Sequence, residues 1–263
     1  MLILHHNFLD NPPDFESLLS DLESSNLFQD MCIVNKETPL SSGKKGSFVG
    51  VPDQHGGLPY LRCPSFFESI EMPIWLKSLI IDKINSSFQI ESNSIKMQRY
   101  VLGKSGIGPH SDKLLDLVPG KSIFIYRINK DDKPRSLCFK SKVTDEEFAV
   151  KLRSNDLLEI KWTENQKYLH YVPVFEDEDT SSDCISFVVR EAHTFMDPVT
   201  KFKYGRSAKF QTFEERNSHP EIEPIDMRDP RILEHIVNMY SFENSNDMSQ
   251  NSYDYSKIIE MTV

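Results

Sequence analysis

The chain has 263 residues, enough for one large domain, and its 38% hydrophobic content, with 17 Phe and 9 Tyr, can fill a sizeable core. A formal net charge of −10 argues against a protein that grips phosphates by overall charge, while leaving room for a local basic groove. The four cysteines, Cys32, Cys63, Cys138 and Cys184, form no CxxC pair, which argues against a zinc ribbon or a disulfide framework and suits a reducing compartment.

In chain order, "MLILHHNFLDNPP" has too short an apolar run for a signal peptide, and no stretch approaches membrane-spanning length. A soluble intracellular protein without a membrane partner, in the cytoplasm or nucleus and monomeric, is the expectation. "NPPDFESLLSDLESSNLF" reads as a helix opened by Asn11 or Asp14, with Phe15, Leu18, Leu19 and Leu22 on its apolar face. Residues 38–66 carry Gly, Pro and Ser throughout and predict a long loop or a pair of weak strands. A second amphipathic helix follows in "MPIWLKSLIIDKINSSF".

From residue 95 the texture changes to short β-rich runs between turn signals: "IKMQRYVL", "KSIFIYRI", "RSLCFKS", "EFAVKLR", "DLLEIKW", "KYLHYVPV" and "CISFVVR". Their spacing predicts a sandwich or barrel. "DPRILEHIVNMYSF" predicts a closing helix with Asp229 as cap and Pro230 at its first position, and the Asn- and Ser-rich end predicts a mobile tail. The expected division is a main domain over 1–215, with helical and loop support in 1–94 and a β core in 95–215, followed by a C-terminal helix and tail over 216–263.

Within the β-rich region, His110-Ser111-Asp112 places two metal-binding side chains two residues apart, which on extended backbone point the same way. Two histidines and one carboxylate hold iron in non-haem oxygenases and leave the opposite face open. A second histidine must then come from a distant strand, and His170 in "KYLHYVPV" is the best placed. The remaining histidines, His5, His6, His55, His193, His219 and His235, lie outside the strong strands. Arg190 closes the apolar run "CISFVVR", and a charge there needs a partner. Either a dicarboxylate ligand or a carboxylate of the chain fits.

The ordered series "MQRYVLGKSGIGPHSDK", "LVPGKSIFIYRI", "NDLLEIKW", "LHYVPV" and "CISFVVR" resembles the AlkB-like Fe(II)/2-oxoglutarate-dependent dioxygenases from about Pro73 to Arg190. The resemblance implies an α+β, mainly β architecture with a double-stranded β-helix (jelly-roll) core. It implies Fe(II) bound by His110, Asp112 and His170, which would be the catalytic residues, and 2-oxoglutarate contacted by Tyr100 and Arg190, with O2 as the other co-substrate. The implied activity couples decarboxylation of 2-oxoglutarate to succinate with hydroxylation or oxidative demethylation. Alkylated nucleobases in DNA or RNA are the family's default substrate; a protein side chain or a small molecule is the alternative, as is a non-catalytic binding module retaining part of the iron site.

Three positions depart from the family pattern. Gln98 stands where Asn is usual, and Leu114 where an acidic residue is frequent in nucleic-acid demethylases. Cys184 occupies the place of the arginine that holds the distal carboxylate of 2-oxoglutarate. Arg127 shares a strand face with Ile123 and Ile125, so it either reaches into the pocket to replace that charge or ends its strand in solvent. Lys201, Lys203, Arg206 and Lys209, interleaved with Phe202, Tyr204 and Phe210, form either a nucleic-acid contact or a solvated strand face.

Overall fold

The structure is a computed structural model that describes residues 1–35, 38–62, 69–226 and 229–263, with only the backbone course given for 32–35 and 38–43. Cys63, within the segment 38–66 that predicts a long loop or a pair of weak strands, and the Cys32 side chain lie outside the described residues. The predicted β-rich region is present as strands β6 (Ser94–Tyr100), β7 (Ile107–His110), β8 (Ile123–Asn129), β9 (Arg135–Ser141), β10 (Glu147–Leu152), β11 (Asp156–Ile160), β12 (Tyr168–Val172) and β13 (Cys184–Arg190). Before them come β1 (Leu2–His5), β2 (Gln29–Asn35), β3 (Thr38–Gly50), β4 (Leu58–Pro59) and β5 (Ile70–Glu71), and after them β14 (Thr194–Met196) and β15 (Lys203–Gly205).

The strands form a large sheet in the order β1-β11-β8-β13-β6-β3-β2, with β5 beside β3, and a smaller sheet in the order β10-β9-β12-β7. A third small sheet joins β15, β14 and β4. All pairings are antiparallel except β3 with β5. The chain is therefore mixed α and β, with mostly antiparallel sheets and few helices.

Alternation along β8 explains how the layers assemble. Ile123 and Ile125 meet Leu137 and Phe139 of β9 and Val172 of β12, which closes a core between the two main sheets. Phe124, Tyr126 and Ile128 point the other way, onto the helices. There α1 (Phe15–Ser24) contributes Phe15, Leu18, Leu19 and Leu22, the predicted face, and Asp14 caps it by accepting from the Ser17 N–H at 3.0 Å. The second predicted helix runs continuously over 74–88, with a π-helical stretch at Lys77–Ile81, and buries Leu76, Ile80 and Ile84 in the same core. Each such aliphatic side chain taken from water contributes about 1.5–3 kcal/mol.

Two segments go beyond what the sequence predicts. Of the two readings of 38–66, a long loop or a pair of weak strands, the described residues take the strands: the 13-residue β3, paired with both β2 and β6, and the short β4. Glycine explains it: a Cβ at Gly46 would stand 2.2 Å from the Met97 carbonyl oxygen, so the residue that weakens a strand in isolation permits close contact here. The expected mobile tail contains a helix, Ser256–Met261, and buries Ile258, Thr262 and Val263. Ile258 joins Ile232, Ile236 and Met239 of the long helix Pro230–Ser245 in a small core around Leu115, which ties the C-terminal segment to the loop after His110-Ser111-Asp112. No described helix is long and apolar enough to cross a membrane.

Candidate metal centre

Strands β7 and β12 run antiparallel and place His110 directly opposite His170. Their ring centroids are 4.5 Å apart at 50°. Asp112 follows two residues after His110, and the ligand atoms of the three side chains lie within 4.8 Å of one another. No other cluster of three His, Cys, Asp or Glu side chains with metal-binding spacing occurs among the described residues. One sheet edge thus joins residues 60 positions apart.

The protonation states suit a cation. His110 Nδ1 lies 2.9 Å from the Gly108 carbonyl oxygen. A carbonyl only accepts, so Nδ1 carries the proton and Nε2 keeps its lone pair. Burial, followed by the neighbouring His170, holds His110 well below the ordinary histidine value, and burial lowers His170 to about 4. Both rings are neutral near pH 7. Burial works against the Asp112 charge, but Arg190 outweighs it and keeps the carboxyl well below the usual carboxylate range. The donor set is two imidazole nitrogens and one carboxylate, the combination that suits Fe(II) with open coordination positions.

Arg190 is turned to Asp112: its Nε donates to Oδ2 and its Nη2 to Oδ1, both at 2.8 Å. Of the two predicted partners, the chain's own carboxylate holds this guanidinium, in a fork that fixes the Asp112 rotamer. The carboxylate retains lone pairs for a metal. The backbone around it is pinned as well. The Asp112 N–H donates to Asn165 Oδ1 at 2.9 Å, and Asn165 Nδ2 donates back to the Asp112 carbonyl at 2.8 Å. On one side, the Ser111 N–H donates to Asn244 Oδ1 at 3.1 Å; on the other, the Leu114 N–H donates to Glu243 Oε2 at 3.1 Å. Asn165, Asn244 and Glu243 carry no local sequence signal, because their partners are 53 or more positions away.

Gln98 and Tyr100 sit on the face of β6 opposite Ser186 and Cys184 of β13, and both are buried. The Tyr100 hydroxyl donates to Gln98 Oε1 at 2.7 Å, and burial raises its pKa, so it stays a neutral donor. Arg127 does not end in solvent: it is 0% exposed. Its Nη1 donates to the Arg135 carbonyl at 2.9 Å, while its Nε and Nη2 have no hydrogen-bond partner. Its cross-strand neighbour Asp156 is turned away, to His6 and to the Arg153 N–H. Arg135, also 0% exposed, pairs through Nε with Glu176 at 3.1 Å and donates from Nη2 to the Pro173 carbonyl at 2.5 Å, leaving Nη1 without a hydrogen-bond partner. Both guanidinium charges act on the thiol of Cys184, which burial keeps protonated. Arg135 was legible in principle: in "RSLCF" it alternates with Leu137 and Phe139, which both face the inter-sheet core.

The basic and aromatic cluster after residue 200 is largely internal. Lys203 is buried, and its Nζ donates to the carbonyls of Lys201, Ile225 and Val263. Phe202 lies 3.5 Å beneath the buried Arg216 guanidinium, and Tyr204 donates to Asp53. Arg206 and Lys209 are exposed. No protein-family model matches the chain, and no curated protein matches it.

Proposed function

We propose that the protein is an Fe(II)- and 2-oxoglutarate-dependent dioxygenase of AlkB-like, double-stranded β-helix architecture. The observation that carries the reading is the pairing of a His-Asp-His cluster with two fully buried guanidinium groups, Arg127 and Arg135, that keep unpartnered nitrogens. Arg135 has Glu176 on one side only, and Arg127 has no carboxylate partner among the described residues; buried donors left unpaired are costly, and a carboxylate is the ligand that matches them bidentately. A dicarboxylate with a keto acid at one end would satisfy both halves of the arrangement.

His110, Asp112 and His170 would hold the metal, which when bound with a keto acid supplies oxygen activation. The chain's own part follows from its chemistry. Arg127 and Arg135 bind and orient the distal carboxylate, in place of the charge that Cys184 does not supply. Tyr100, whose hydroxyl proton rests on Gln98 Oε1, would turn that proton to a co-substrate oxygen once one is bound. Arg190 keeps Asp112 ionised and in one rotamer. The apolar residues around Ile123, Ile125 and Phe139 exclude bulk water, which strengthens each of these interactions.

The reading predicts Fe(II)- and O2-dependent release of succinate from 2-oxoglutarate, even without a prime substrate, and its loss in Asp112→Ala. A protein that binds metal yet releases no succinate would instead be a non-catalytic binding module.

A further inference from the structure

Lys96 lies on β6 two residues before Gln98 and four before Tyr100, so the period of two sets it on their face. Its cross-strand neighbours are Phe48 on β3 and Val188 on β13. Along that row of the sheet the next residues are Ile125 and Leu158, both apolar. Lys96 is only 9% exposed, and its charge acts on both His110 and His170, so it shares their interior. No hydrogen bond or ion pair joins its Nζ to any described residue; the contact it makes is with the Phe48 ring, 5.4 Å from the centroid.

The stem of Lys96 is covered by the sheet, while its ammonium has only a ring face to hold it. A methionine or leucine would pack the row better. The nearby carboxylate that could neutralise it, Asp112, is committed to Arg190 on both oxygens. The other two interior guanidinium groups are those assigned above to the co-substrate. Lys113, whose charge also acts on His170, is held by Asn244 and the Tyr240 ring, which leaves Lys96 as the cation beside the cluster with no counter-ion among the described residues.

We propose that Lys96 is the anchor for an oxyanion, a carboxylate or phosphoryl group, on the prime substrate. This rests on the dioxygenase reading of the site and narrows it: the substrate is an acid, not a cationic alkylated base, because a positive charge beside His110 and His170 would meet Lys96 unscreened. The anchored oxyanion completes the pairing that the fold leaves open, and the carbon to be oxidised lies on the metal side of it. On the same face, the buried Met31 sulfur accepts from Gln98 Nε2 at 3.3 Å.

The test uses the full chain loaded with Mn(II) as a non-turnover metal and saturated with 2-oxoglutarate. Binding is measured calorimetrically for four probes of one shape: phenylacetate, benzylphosphonate, phenylacetamide and phenethylamine. At least one acid should bind ten-fold or more tightly than the amide and the amine, their order telling carboxylate from phosphoryl, and Lys96→Met should remove that preference. The thermal midpoint of Lys96→Met without ligands should equal or exceed wild type, because Lys96 makes no hydrogen bond or ion pair with a described residue that the variant would lose. The proposal is overturned if the wild type shows no preference for the acids, whether all four probes bind alike or none binds. It is equally overturned if Lys96→Met weakens 2-oxoglutarate as much as the acids, or if it lowers the midpoint as the loss of a structural contact would. Absence of 2-oxoglutarate binding by wild type would sink the dioxygenase reading separately, while an acid preference measured with metal alone would still stand or fall on Lys96.

Discussion

At the scale of single residues, the candidate metal centre is a set of side chains whose charge states are set by burial and by one arginine. His170 is lowered to about 4 from 6.5, and His110 shifts in the same direction. In the unfolded chain both rings take up protons near pH 6.5, while in the folded metal-free protein they do so only at lower pH. The unfolded state therefore binds more protons in this window, and stability falls as pH drops from about 6.5 to about 4. Thermal midpoints of metal-free protein across that range should decline, and His170→Asn should flatten the decline; an unchanged slope would mean that His170 titrates normally. Asn165 acts one step back from the ligands, through the Asp112 backbone. Asn165→Ala should leave the three ligands in place and weaken metal affinity about 10- to 100-fold, as the loss of outer-shell support does, which a competition titration with a chelator would read. The nearness of His110 and Asp112 was legible because alternation on extended chain is a local rule, whereas His170 entered only as the best placed histidine of a distant strand. Asn165 and Asn244 were not, since a lone amide on a helix shows nothing of a partner brought to it by tertiary folding.

At the scale of elements, the strands carry the site by register. His110 opposite His170, Cys184 opposite Tyr100 and Ser186 opposite Arg127 are pairings that a one-residue slip would turn to the wrong face. Close approach of β3 to β6 depends on Gly46. Gly46→Ala should cost about 1–3 kcal/mol by overpacking against the Met97 carbonyl, seen as a lower midpoint in denaturant titration, with Gly108→Ala, where added volume meets open space, as the mild comparison. Helix boundaries were readable where capping chemistry is local, as at Asp14 and at Asp229-Pro230. The strand Thr38–Gly50 was legible only as one of two alternatives, because its Gly, Ser and Lys residues carry a loop composition and pairing on both sides makes them a strand. The same limit applies to the last turn of chain, whose polar composition conceals buried Ile258 and Val263.

At the scale of the whole molecule, two antiparallel sheets enclose an apolar interior into which the fold sends four cations: Lys96, Arg127, Arg135 and Arg190. Arg190 is paired by Asp112, and Arg135 in part by Glu176. On the proposed dioxygenase reading anionic ligands complete this interior, and their binding would then add to the stability of the protein. The C-terminal helix belongs to the same design, since Asn244 and Glu243 hold the backbone on either side of Asp112. The most direct test of the account is an anaerobic titration of the Fe(II)-loaded protein with 2-oxoglutarate, followed by the visible charge-transfer absorption of the chelate and by calorimetry. The account predicts stoichiometric iron, saturable 2-oxoglutarate binding, and an affinity loss of about 10- to 100-fold in Arg127→Met, the scale of a lost charge-assisted pair, with iron still bound. Stoichiometric iron with no 2-oxoglutarate binding, or binding unchanged in Arg127→Met, would contradict it.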